Sequence, residues 1–320
     1  MRPPATVAAL CVCLLAAGFS LVAEAAALKP THVEIESIGK TQETQFKGLS
    51  AFCLNNQGNL LACDGKGRLI KVLTPQGKRL AEWKMPFGPL RIRVAADNTI
   101  YVGGNGVLAK LSKDGKVLRT VKSDGSNFPR SRSSGIAVSD KYVFASFGRG
   151  WSLRARGTIV RFDRDLENAK TIATGMRGCC QRLDLASKDG VLYVAENTRY
   201  RIVRMDADGK VLSQWGRRSR TDVAGFGACC NPMNVTFRSN GELYTAESGL
   251  GRVKRYTADG KFLGLVGEIG VQRFTRAGHL AASCSNITVD VTDDGKLVFV
   301  QDVRRNLIRV LQAREPGVTK

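Results

Sequence analysis

Gly178-Cys179-Cys180-Gln181-Arg182-Leu183-Asp184-Leu185 leads to Asp189-Gly190 and then to Val191-Leu192-Tyr193-Val194-Ala195-Glu196. Further on, Ala228-Cys229-Cys230-Asn231-Pro232-Met233-Asn234-Val235 leads to Asn240-Gly241 and then to Glu242-Leu243-Tyr244-Thr245-Ala246-Glu247. The parallel continues. Arg201-Ile202-Val203-Arg204-Met205 and Asp208-Gly209 are matched by Arg252-Val253-Lys254-Arg255-Tyr256 and Asp259-Gly260. Residues 178–267 therefore hold one pattern twice. Each copy has four short runs of alternating apolar residues. Asn-Gly or Asp-Gly stands between the first and second runs and between the third and fourth. These dipeptides supply the positive φ angles that tight hairpins need.

Four antiparallel strands repeating every 40–50 residues or so are the sequence form of one propeller blade. Working outward gives four more blades. The first begins at Ala51-Phe52-Cys53-Leu54 and continues through Leu60-Leu61-Ala62-Cys63-Asp64. The second begins at Arg91-Ile92-Arg93-Val94. The third begins at Gly135-Ile136-Ala137-Val138 and carries a Gly- and Arg-rich insertion at residues 148–157. The sixth begins at Asn286-Ile287-Thr288-Val289 and has only three strands of its own. Val33-Glu34-Ile35-Glu36-Ser37-Ile38 offers the missing strand, and pairing it there removes exposed sheet edges. The expected fold is all-β: a six-bladed β-propeller, four antiparallel strands per blade, closed by an N-terminal strand.

The pattern resembles the NHL repeat family. The residues that carry the resemblance are the apolar pair before each turn glycine, the Leu-Tyr-(Val/Thr)-Ala-Glu run, and the Arg-Ile/Val pair five positions on. The resemblance implies a propeller and leaves the activity open, because fold does not fix function.

Residues 1–25 read as a secretory signal peptide. Arg2 precedes an uncharged apolar run ending near Val22, and Ala23-Glu24-Ala25 fits a cleavage site. Residues 31–315 are expected to form one domain, with a tail at 316–320. The chain is then secreted, periplasmic or extracellular, without a transmembrane segment once the signal is removed, and monomeric. Lys plus Arg number 49 against 28 Asp plus Glu, a net charge of +21. Arg2 and Glu24 cancel, so signal removal leaves this value unchanged. Such a field attracts polyanions. Much of the arginine lies in loops, among them Arg130, Arg132, Arg149, Arg156, Arg177 and Arg220. For an exported protein the expected partner is an anionic polysaccharide, an envelope component or another protein. Nucleic acid suits the charge but not the compartment.

Inner strands begin, and second strands end, on one rim of the channel, because the two are antiparallel neighbours. Strand beginnings bring Arg91, Arg182, Asn234 and Asn286 to that rim. Just before them stand Cys179, Cys180, Cys229, Cys230 and Cys284. Vicinal disulfides within Cys179–Cys180 and Cys229–Cys230, with Cys284 as the odd thiol, are the first expectation. A soft-metal thiolate site, for copper for example, and a thiol redox centre are the others. Cys53 and Cys63 lie either side of Gly58, so a cross-strand disulfide and two buried thiols are both open.

Second-strand ends bring Asp64, Glu196, Glu247 and Gln301. Arg68, Arg201 and Arg252 follow the three carboxylates closely, which suggests corner ion pairs. The alternative is a calcium site of Glu196, Glu247, Asn234 and Asn286. Asn234, after Asn231-Pro232-Met233, resembles the Pro-Asn-Gly calcium ligand of gluconolactonase-like propellers, with Met233 interrupting the step. His32 and His279 are the only histidines. They cannot assemble a multi-histidine zinc site like that of the amidating-lyase relatives. Three functions remain: a binding module with a basic, cysteine-rimmed face, a calcium-dependent lactonase or lyase, and a thiol-based metal or redox protein.

Overall fold

The computed structural model describes residues 29–149, 156–179, 182–228, 230–269 and 287–315. The expected signal peptide and tail lie outside these residues. Six four-stranded antiparallel sheets surround one axis. Their inner strands are Leu49–Leu54, Arg91–Val94, Arg132–Val138, Asp184–Lys188, Asn234–Phe237 and Val289–Val291, taken as blades 1 to 6. Each inner strand packs against those of both neighbouring blades, so the ring closes.

His32–Ile38 forms the outer strand of blade 6. It pairs antiparallel with Leu307–Ala313, from His32 opposite Ala313 to Ile38 opposite Ile308. Main-chain bonds from Thr31 to Leu265 (3.0 Å) and from Arg314 to Thr31 (2.9 Å) extend the seam. His32 is buried there, its Nε2 2.9 Å from the Gly295 carbonyl.

The core consists of clusters between blades. In Leu60–Asp64, Leu61 and Cys63 enter the cluster shared with blade 2. Leu60 and Ala62 enter the one shared with blade 6. Strand side chains alternate between sheet faces, and here both faces are covered. The second strands are therefore largely apolar and buried up to the acids that end them, Asp64, Glu196 and Glu247. Outer strands meet solvent on one side and alternate accordingly, as in Arg79–Lys84.

Blade 3 departs from the expected layout. Its strands Tyr142–Arg149, Arg156–Asp163 and Lys170–Arg177 have eight residues each, against four to six in blades 1, 2 and 4. Much of the expected insertion is thus hairpin extension. Gly148 faces Gly157 and Arg149 faces Arg156, and only 150–155 lie outside the described residues.

Candidate functional site at the basic rim of the channel

Inner strands of a propeller are sheet edges, and an edge leaves backbone groups unpaired. Side chains from neighbouring blades fill them here. Asp184 of blade 4 accepts the Val235 amide of blade 5 at 2.9 Å and also the Asn234 side-chain amide. Asn234 Oδ1 accepts the Val289 amide of blade 6 at 2.9 Å. Asp290 of blade 6 accepts the Leu54 amide of blade 1 at 2.9 Å. On the other half of the ring, Arg91 of blade 2 donates to the carbonyls of Ser134 in blade 3 (2.7 Å) and Ser50 in blade 1 (3.2 Å). Ser146 of blade 3 donates to the Leu183 carbonyl of blade 4. The channel wall is thereby bonded all the way round.

Asn234 and Arg91, expected at a ligand site, are both buried and belong to this ring. Burial pushes the Arg91 guanidinium down to about 10, and the Asp184 charge works against it. Burial pushes the Asp184 and Asp290 carboxyls up, with Arg93 opposing in each case. The sequence reading missed Arg93, Asp184 and Asp290. Their one signal was a charge inside an inner strand, as in Leu183-Asp184-Leu185 and Val289-Asp290-Val291.

Glu196 and Glu247 are buried corner groups. Glu196 accepts the Arg177 amide at 2.9 Å and pairs with Arg201 at 2.6 Å. Glu247 accepts the Gly227 amide at 2.8 Å and pairs with Lys254 at 3.2 Å and Arg252 at 3.4 Å. Each ties the loop entering its blade to the start of the third strand. Asp64 holds three backbone amides, of Lys47, Gly48 and Gly67, instead of Arg68. Arg68 turns to the Pro86 carbonyl. In blade 6 the corner group is Asp302, paired with Arg309 at 3.0 Å. Gln301, expected there, donates to the Leu49 carbonyl instead. Among the described residues no three His, Cys, Asp or Glu side chains gather as a metal site.

Cys179 and Cys230 are buried in one apolar cluster with Met233, Ile269 and Ile287. Buried asparagines pin their loops. Asn197 Oδ1 accepts the Cys179 amide at 2.9 Å, and its Nδ2 donates to the Arg182 carbonyl at 3.0 Å. Asn231 donates to the carbonyls of Gly227 (2.7 Å) and Ser248 (3.1 Å). The half-buried Arg182 donates its amide to the Cys179 carbonyl at 3.0 Å. Cys180, Cys229, Cys284, Asn286 and His279 fall outside the described residues. Cys53 and Cys63 are buried free thiols. Cys53 faces Leu61 and Cys63 faces Ala51, so the two are diagonal across the hairpin and the disulfide does not form. Burial pushes Cys53 up to about 12 and raises Cys63 as well.

The rim also carries arginine. Arg156 and Arg177 face each other across adjacent strands of blade 3, and backbone register adds Arg149 to the row. Like charges directly opposite destabilise a sheet. Arg132, Arg156, Arg177, Arg182 and Arg220 are in no ion pair among the described residues. Other rim cations, Arg201, Arg252 and Arg309, meet the corner carboxylates, and on the opposite face Lys110 meets Asp165 at 2.6 Å, Arg161 meets Asp208 at 2.9 Å and Arg164 meets Asp97 at 2.8 Å.

No protein-family model matches the chain, so the NHL likeness stays one of repeat pattern. No curated protein matches it either. Solved structures do. A streptogramin B lyase is 16% identical, with a TM-score of 0.59, covering 87% of this chain and 97% of its own. A virginiamycin B lyase from Staphylococcus aureus is 13% identical, with a TM-score of 0.55, covering 88% and 99%. A gluconolactonase from Xanthomonas campestris is 14% identical, with a TM-score of 0.57, covering 84% and 87%. At these identities the likeness shows the six-bladed propeller fold.

Proposed function

We propose that this protein is an exported binding module that holds an acidic polysaccharide, or a similar anionic polymer of the cell envelope, on its basic rim. The observation that carries this reading is the row of Arg149, Arg156 and Arg177 across the extended edge of blade 3. The chain sets like charges opposite one another, with no carboxylate paired to Arg156 or Arg177 among the described residues. A polyanion relieves that repulsion, and the net charge of +21 steers it in.

Heparin binding measured against salt tests the reading. The log–log plot should be steep, and the double variant Arg156→Gln, Arg177→Gln should flatten its slope by roughly two. An unchanged slope sinks it. A calcium-dependent lyase or lactonase is the second reading, favoured by the names of the fold neighbours. It ranks second because Asn234, Glu196 and Glu247 already serve backbone amides and ion pairs.

A further inference from the structure

The channel mouth opposite the basic rim opens into a cavity of about 480 Å³. All six blades line it, each through the end of its inner strand or the turn that follows. On its wall stands Arg93, half-buried, from the inner strand of blade 2. A guanidinium has five N–H donors. Arg93 makes two hydrogen bonds, both long: Nε to the Ile136 carbonyl and Nη1 to Thr236 Oγ1, each at 3.4 Å. It is in no ion pair among the described residues.

The nearby carboxylates are already engaged. Asp290 accepts the amides of Leu54 (2.9 Å) and Val291 (3.0 Å) and the Thr236 hydroxyl (3.2 Å). Asp184 accepts the Val235 amide and the Asn234 side chain. Arg93 thus brings unfilled donors to the wall of a cavity with room for a ligand, since small-molecule sites span roughly 300–1,000 Å³.

We propose that this cavity binds a small, hydroxylated monocarboxylate, with Arg93 as the fork that takes the carboxylate. The planar guanidinium matches two carboxylate oxygens at once. The wall offers one open cation. Arg238 is already paired with Glu242 at 3.8 Å, and the carboxylates of Asp290 and Asp293 also line the cavity, so Arg93 can take one negative charge and a second, as on a phosphate monoester, meets carboxylates instead. The mouth also carries the polar side chains of Asn56, Ser187, Ser239, Thr292 and Asp293, beside the apolar Leu54, Val94, Val138 and Phe237. Such a mixed lining gives hydroxyls partners and lets the carbon skeleton of a small sugar acid rest on apolar surface. The site is separate from the basic rim, in position and in the arginine it uses.

Calorimetric titration of the whole protein with three ligands built on one sugar ring tests this: glucuronate, glucose and glucose 6-phosphate. Glucuronate should bind saturably and raise the melting temperature. Neutral glucose and dianionic glucose 6-phosphate should bind at least about tenfold more weakly, the scale of one charge-assisted contact. Arg93→Gln should abolish the preference for glucuronate and leave heparin retention unchanged. Ser187→Tyr keeps Arg93 and fills the mouth, and it should block glucuronate as well, which guards against a folding defect in the arginine variant. No glucuronate binding, equal binding of glucuronate by wild type and Arg93→Gln, or a preference for glucose 6-phosphate overturns the proposal. Heparin binding can fail without touching this result, and the reverse also holds.

Discussion

Lys254 Nζ stands 3.2 Å from Glu247 Oε1, and neither side chain has any exposed surface. The ammonium also donates to the carbonyls of Val223 (2.9 Å) and Gly225 (2.6 Å) and lies over the Phe226 ring. Lys71 repeats the device in blade 1, with the carbonyls of Glu43 and Gln45 and the Phe46 ring. In both, a lysine on the third strand fastens the loop that enters its own blade.

Burial pushes Lys254 down to about 8, with Glu247 opposing. The unfolded chain binds this proton more tightly than the folded one. Stability should therefore rise as pH climbs from about 8 to the ordinary lysine value near 10.4, by an amount on the order of 3 kcal/mol. Urea melts of wild type and Lys254→Met across that window check this. Parallel pH profiles for the two proteins refute it.

Asp184→Ala should cost about 1–3 kcal/mol, because it strands the buried Val235 amide and the Asn234 side chain. Asp184→Asn keeps an acceptor in place and should recover most of the loss. Chemical denaturation of the two variants decides the matter, and equal stability contradicts the tether.

Cys53 and Cys63 should resist iodoacetamide in the native protein. Raised thiol pKa values leave almost no thiolate at neutral pH, and burial bars the reagent. Peptide mapping should find both labelled only after unfolding. Rapid labelling of the folded protein counts against the assignment.

Removal of residues 32–38 should lower the melting temperature and promote association, since it exposes the Leu307–Ala313 edge. Light scattering during a thermal melt reads both effects. An unchanged melt of a monomeric protein rules out the closure as a stabilising element.

The doubled pattern at residues 178–267 made the blades legible, because hairpin turns and alternation are local properties. The closing strand was legible from a count, since blade 6 was one strand short. The ring around the channel was not. Asp184 caps an amide in the next blade, and nothing in Leu183-Asp184-Leu185 names a partner some fifty residues away. Asn234, expected at a ligand site, bonds across blades in the same ring. An asparagine at a strand start looks alike whether it meets an ion or an amide. The length of blade 3 was hidden because its Gly- and Arg-rich stretch lacks the apolar alternation by which strands are recognised.

The pairing of His32–Ile38 with Leu307–Ala313 joins the earliest and latest strands among those described. A ribosome makes one long before the other. Until the last strand emerges, the first has nothing to pair with, and the ring stays open however well the blades between have formed. Completion is set by the largest sequence separation in the molecule, the kind of contact that slows folding most. The first strand therefore waits, unpaired, for the whole of the intervening chain to be made before the ring can close.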